Sequence, residues 1–302
     1  MHRKDSGDII FERTLTVFPC AILVIVAGIL FSLISASWPS ITKFGFHFLY
    51  TSTWDPVFEH FGALPFIFGT VVTSFVALVL AIPIGLGTAI YLAEYAPFKI
   101  QKIIAMLIDL LAAIPSVIYG LWGIFVLVPV MRTHVQPFLG KYLGFLPFFQ
   151  GPNYGVGFLS AGVILAIMIV PFIISVSREV ILAVPQVYKE AAYAMGATRW
   201  EALRTIILSY ARPGIMGAVI LALGRAIGET MAVTMIIGNN VKISASLFSP
   251  GYTLASVIAN EFAEAATKMY LSALIEIGLV LFLVSILVNM IARVLIWSVT
   301  QK

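Results

Sequence analysis

The chain has 302 residues, of which 61% are hydrophobic and only 11% charged, with a formal net charge of +4. Soluble domains carry about 25% charged residues, so this composition excludes an ordinary soluble enzyme and points to a polytopic helical membrane protein. The single cysteine, Cys20, excludes a disulfide framework, and the modest positive charge needs no nucleic acid to explain it.

A spanning helix needs about 20 apolar residues. Six runs reach that length: 15–36, 66–92, 103–131, 158–177, 213–237 and 270–297. The expected fold is therefore all-α, one transmembrane domain of six helices over residues 1–302. The first run follows Arg3, Lys4 and Arg13 and ends at Ser35-Ala36-Ser37, which looks like a signal-peptide cleavage site. Its apolar core exceeds the roughly 7–15 residues of a cleaved signal, so it reads as a retained span. The segment that follows, "WPSITKFGFHFLYTSTWDPVFEHFGALPF", carries Trp and Tyr suited to the headgroup zone. It either lies on the membrane surface or packs over the outer helix ends. Pro83, Pro115 and Pro129 in the second and third runs mark places for a kink or an early stop.

Six spans put both termini on one side. Arg3, Lys4, Arg13, Lys99, Lys102, Arg178, Lys189, Arg199, Arg204, Arg212, Arg293 and Lys302 fall on that side; Lys43, Arg132, Lys141, Lys242 and Lys268 fall on the other. The excess of basic residues places both termini in the cytoplasm. Glu94 then opens a cytoplasmic loop. Asp109 and Glu276 lie about two turns inside the third and sixth runs, where each reads as a hydrogen-bonding group of the bundle interior.

The loop over 178–212 is longer than a plain connection needs, and its helix signals are clear. "VPQVYKEAAYAMG" reads as a short helix stopped at Gly196, where glycine accepts a left-handed C-cap. Thr198 and Glu201 in "TRWE" form a capping box that starts a second helix through "ALRTIIL". Pro213 is placed to open the fifth span. Two short helices thus meet at a defined corner beneath the membrane.

Within "ALGRAIGETMAV", Arg225 falls at the middle of the fifth run and Glu229 one turn further on. A central arginine costs about 2.5–3.5 kcal/mol on insertion scales, so it must face protein or water with a partner. On a continuous helix the two share a face and can neutralise each other. They form either a structural ion pair between helices or an anion site, since a guanidinium fork holds two oxygens of a phosphate in parallel. Gly224 and Gly228 beside them permit close approach.

Glu190-Ala191-Ala192, followed by Gly196 and Ile206, resembles the EAA signature of the membrane subunits of binding-protein-dependent ABC importers. The signature here ends Leu208-Ser209 where the family has Leu-Pro, which favours a straighter run into the fifth span. "FGALPFIFGTVVTS", "AIYLAEYAP", "AAIPSVIYGLWG" and "LGRAIGETMAVTMIIGN", in order along most of the chain, resemble the phosphate-specific permeases of PstC type. That resemblance implies an importer permease in a bacterial inner membrane, moving inorganic phosphate. It further implies a sister permease of PstA type, an extracytoplasmic phosphate-binding protein and a cytoplasmic ATPase dimer. Glu190, Ala191, Ala192, Gly196, Thr198 and Glu201 would then couple to the ATPase, and Arg225 and Glu229 would line the substrate path.

The chain itself reads as non-catalytic. It has no G-x-x-x-x-G-K-[ST] loop; its Gly140-Lys141 pair runs into Tyr142, so ATP and Mg are expected on the partner ATPase rather than on any cofactor site here. No His, Cys and Asp grouping suggests a metal. Two other readings remain: a permease of the same fold for sulfate or molybdate, and an ion-coupled secondary carrier, for which the coupling corner would have no purpose.

Overall fold

The computed structural model describes residues 6–300, among which every regular element is helical. Arg3, Lys4 and Lys302 of the charge count lie outside the described residues. Six helices have the length and apolarity to cross a membrane: Thr14–Phe44, Leu64–Tyr95, Ser116–Leu143, Phe158–Leu182, Arg199–Gly228 and Lys268–Val294. In hydrocarbon each backbone N–H and C=O must be paired within the segment, which the α-helix does by itself.

In chain order the elements are α1 (Ser6–Phe44), α2 (His47–Tyr50) and α3 (Leu64–Ile90), the last continued by a π-turn at Tyr91–Tyr95. Then come α4 (Phe98–Ala112), α5 (Ser116–Leu143, with π-turns at Gly123–Leu127 and Met131–Val135), α6 (Phe158–Leu182) and α7 (Gln186–Ala194). They are followed by α8 (Arg199–Gly228, with a π-turn at Leu203–Ile207), α9 (Met231–Ile236), α10 (Leu254–Glu261) and α11 (Lys268–Thr300).

The third expected run, 103–131, is not one helix. It breaks between Ala112 and Ser116, where Pro115 is extended at ψ 140°. Proline has no N–H to donate and crowds the residue before it out of the helical region. The membrane helix therefore begins at Ser116, and α4 is a separate amphipathic piece. Asp109 goes with it to an exposed face, taking a 3.4 Å hydrogen bond from Ser175, so the bundle-interior reading of Asp109 is corrected. Glu276 is buried, 6% exposed.

The centre of the fold is α6, packed by α3 on one side and α8 on another. Ala77, Ala81, Ala161, Leu165, Ile169 and Ala222 meet there with no exposed surface to speak of. Lipid tails are as apolar as leucine, so such contacts are held by close van der Waals fit rather than by a hydrophobic drive. The fit is tight: a Cβ on Gly162 would stand 2.4 Å from a methyl of Val76, and one on Gly85 would stand 2.8 Å from Ile173. Gly162→Leu is expected to cost about 1–3 kcal/mol as an overpacking change. The check is a lower melting temperature in detergent and a lower yield of folded chain.

α1 is the least integrated helix, for no residue of its most apolar stretch is buried by the rest of the chain. Its C-terminal end is fastened to α11. There Ser272 accepts the Ser40 N–H at 3.2 Å and donates to the Ala36 carbonyl at 3.0 Å, entering the backbone ladder of α1. The aromatic segment after α1 packs over the outer helix ends: Trp54, Phe61, Phe66 and Tyr270 form a cluster in which Phe61 and Tyr270 stack at 5.5 Å. Glu261 ties it down, accepting from the Trp54 indole at 2.6 Å and the Tyr270 hydroxyl at 2.7 Å.

Candidate functional site

The coupling corner forms as its sequence signals require. α7 ends in a turn where the Ala197 N–H reaches back to the Ala192 carbonyl at 3.1 Å and Gly196 adopts φ +84°. This is the left-handed C-cap that glycine enters without a Cβ penalty. Thr198 then accepts the Glu201 N–H at 3.3 Å while Glu201 takes the Thr198 N–H at 2.8 Å, completing the capping box. The second helix is not short, however. It runs from Arg199 through its π-turn to Gly228, with Pro213 in its interior rather than at its start. From Leu208-Ser209 the backbone passes into the fifth membrane helix without a break.

Ala192 is buried, whereas Glu190 and Ala191 are exposed, and around them Val187, Met195 and Trp200 are 71%, 80% and 59% exposed. Open apolar surface of this extent is of the kind that marks an interaction site. No atom lies within 4 Å of where a Gly196 Cβ would stand, so backbone strain alone decides substitutions there. Gly196→Val is expected to cost about 1–2 kcal/mol, and Gly196→Asn less, since asparagine enters the left-handed region more readily. Thermal unfolding of the two variants side by side checks the order.

One partner of the corner escaped the sequence reading. Lys189, buried beside Glu190, donates to Glu94 at 2.6 Å, across to the π-turn that ends α3. Glu94, which opens the loop after the second span, is packed rather than solvated. Periodicity could not have found the pair, since nothing in either segment points to the other.

At the second constellation the helix stops between the two charged residues. α8 ends at Gly228, Glu229 is extended at ψ 127°, and α9 starts at Met231. The expectation of one face and a mutual ion pair is therefore corrected: among the described residues no ion pair joins Arg225 to Glu229. Glu229 instead accepts the Ala232 N–H at 3.4 Å, placing its charge at the start of α9, where a helix favours an anion.

Arg225 packs its guanidinium over the ring of Phe172, 5.4 Å from the centroid. Its Nε is buried with no hydrogen-bond partner. Phe172 comes from α6, so no spacing rule could have named it. Beside Arg225, Cβ atoms on Gly217, Gly224 and Gly228 would each meet nothing within 4 Å, and Leu221 on the same side is 59% exposed. One flank of α8 is thus open, and the guanidinium sits at its edge with donors to spare. The break itself is tolerated at membrane depth because α9 is buried in protein: Ala232 and Ile236 are fully covered.

Residues 81–300 match the family of binding-protein-dependent transport system inner membrane components. The chain is 47% identical over 299 residues to the phosphate transport system permease protein PstC of Mesorhizobium japonicum, covering 98% of this chain and 91% of that one. It is 48% identical over 296 residues to the PstC protein of Haemophilus influenzae, covering 97% and 94%. Among solved structures, a bacterial ABC transporter for alginate, in complex with its pentasaccharide-bound periplasmic protein, aligns at TM-score 0.64 and 15% identity over 98% of both chains. The MetNI methionine ABC transporter aligns at TM-score 0.58 and 19% identity, covering 82% of this chain and all of the other. Those two show the fold alone. With six helices long and apolar enough to cross a membrane, a family match over most of its length and nearly full-length relatives of one kind, the chain belongs to the binding-protein-dependent transport system inner membrane components.

Proposed function

We propose that this chain is one of two permease subunits of an ATP-driven importer for inorganic phosphate. The observation that carries the reading is Arg225: a guanidinium in the fifth membrane helix with an unused donor and, among the described residues, no carboxylate partner, beside an open glycine flank. A buried cation without a counter-charge is costly, and an oxyanion in the open flank would supply the charge and accept two parallel N–H bonds. The names of the near relatives agree on phosphate as that anion.

The open flank is half of a pathway. A sister permease of PstA type supplies the other half, a phosphate-loaded binding protein delivers substrate outside, and an ATPase dimer engages the corner at Glu190–Glu201 inside. ATP and Mg are bound by that ATPase. Both termini then lie in the cytoplasm, a placement that the basic residues of α4 and of the coupling corner support. The test is radiolabelled uptake by proteoliposomes holding the whole complex, with phosphate, sulfate and molybdate supplied in turn. ATP-dependent uptake of phosphate alone is expected; uptake of sulfate or molybdate in preference to phosphate would overturn the substrate, and uptake without ATP would overturn the class.

A further inference from the structure

We infer that the Lys189–Glu94 ion pair is the link through which movement of the coupling helix α7 is passed to the membrane helix α3; the inference rests on the reading of α7 as the segment that engages an ATPase. The pair joins elements far apart in sequence, at 2.6 Å, with side chains only 10% and 14% exposed. The other ion pairs among the described residues differ in kind. Lys43 and Glu59 are 42% and 37% exposed, and Arg178 and Glu179 are chain neighbours. A water-shielded, charge-assisted hydrogen bond is short and directional.

Its surroundings make that direction matter. The nearby contacts are apolar: Ala89, Leu92, Leu203 and Ile207 form the cluster beneath the corner. Apolar surfaces slide past one another at small cost, whereas a charged hydrogen bond fixes register. Lys189 is neighbour to Glu190, which faces outward, so a push on the exposed side of α7 bears directly on the buried ammonium. On the far side Glu94 sits in the π-turn Tyr91–Tyr95, closed by the Ala96 N–H bonding the Tyr91 carbonyl at 2.9 Å. A π-turn interrupts the regular ladder and is a common place for a helix to give. Beyond it α3 is locked against α6 by Gly85 and Gly162, so displacement at Glu94 is carried along α3 rather than lost. A second π-turn, Leu203–Ile207, lies against α7 from the α8 side, and its Leu203 lines the same cleft as Glu94 and Lys189. Glu190 and Arg199 also line this cleft, yet neither is paired with Lys189 or Glu94.

The test separates a positioning role from mere support. Replacing one partner leaves a buried unpaired charge and destabilises the fold, so the informative variants change both. They are Glu94→Gln with Lys189→Met, which removes the charges and keeps the bulk, and Glu94→Lys with Lys189→Glu, which reverses the pair. Each is reconstituted with sister permease, ATPase and binding protein. Two quantities are read: stimulation of ATP hydrolysis by phosphate-loaded binding protein, and alkylation of Leu221→Cys, in a Cys20→Ser background, with and without ATP and vanadate. The neutral double variant is expected to keep assembly, melting temperature and unstimulated ATP hydrolysis. Its stimulation falls roughly tenfold, within the usual range of coupling between sites, and its Leu221→Cys alkylation no longer responds to nucleotide. The reversed pair restores both. If the neutral variant stays fully stimulated and nucleotide-responsive, or if an assembled reversed pair recovers neither, the link is refuted and the pair is only structural. If phosphate-loaded binding protein fails to stimulate the unaltered complex, the substrate assignment falls, while the alkylation response still decides the link. No alkylation response in the unaltered complex overturns the coupling reading and the link together.

Discussion

Arg225→Gln is expected to abolish phosphate uptake while the chain still reaches the membrane. The glutamine removes a charge that has no carboxylate counterpart, so insertion becomes easier rather than harder. What is lost is two charge-assisted hydrogen bonds to the anion, each worth about 1.5–3 kcal/mol, which is a fall of roughly 10²–10⁴ in uptake. Arg225→Lys should fall in between, since an ammonium keeps the charge and loses the fork. Glu229→Gln should be mild by comparison, because the amide oxygen can still take the Ala232 N–H. The exchange Arg225→Glu with Glu229→Arg should fail outright. It moves the cation past the helix end and sets it at the start of α9, where the helix disfavours positive charge. Uptake measured beside membrane abundance decides the matter. Normal uptake by Arg225→Gln, or by the exchange, ends the anion-site assignment.

Val187→Asp combined with Met195→Asp is expected to release the ATPase from the purified complex, and Glu190→Lys to leave it bound but uncoupled. Val187 and Met195 are the most exposed apolar residues of the corner, at 71% and 80%, and in water they contribute nothing to the fold of this chain. Interface anchors of this sort cost about 2 kcal/mol or more when lost, or roughly 30-fold in affinity. Glu190 is exposed too, so its replacement should not unfold α7. Co-purification on a tagged permease, with ATP hydrolysis measured on the same sample, distinguishes the two effects. Retention of ATPase by the double aspartate variant would show that the corner is not the docking face.

The elements that local chemistry decides were legible in the sequence. The C-cap at Gly196 and the box between Thr198 and Glu201 need only a few neighbouring residues, and they form as read. Apolar run length gave six helices, because hydrocarbon thickness is a hard constraint, but the third and fifth stand at Ser116–Leu143 and Arg199–Gly228 rather than at 103–131 and 213–237. What failed was continuity. Pro115, read as a kink or an early stop, is a full break, while Pro213, read as a start, lies in a helix interior. Both prolines lack an N–H; what differs is whether neighbouring helices make up the lost bond, and that is a tertiary fact. The stop at Gly228 was hidden for the same reason, since "GRAIGETMAV" reads as helix throughout until the buried bed for α9 is known. Arg225 was found because charge in hydrocarbon is conspicuous. Phe172 and the Lys189–Glu94 pairing were not, because the partners lie on different elements.

The π-turn at Leu203–Ile207 amounts to one surplus residue lodged in an otherwise regular helix. Deleting a single residue there, Thr205 for instance, would close the ladder into ordinary α-helix and give a locally more regular chain. It would hardly turn what lies beyond, because a π-turn takes in its extra residue with almost no net rotation of the helix on either side, so Arg225 would keep its place over Phe172. What the helix would lose is the one loosened turn between the Gly196 corner and Arg225. A deletion at this point is accordingly expected to stiffen α8 rather than to re-aim it.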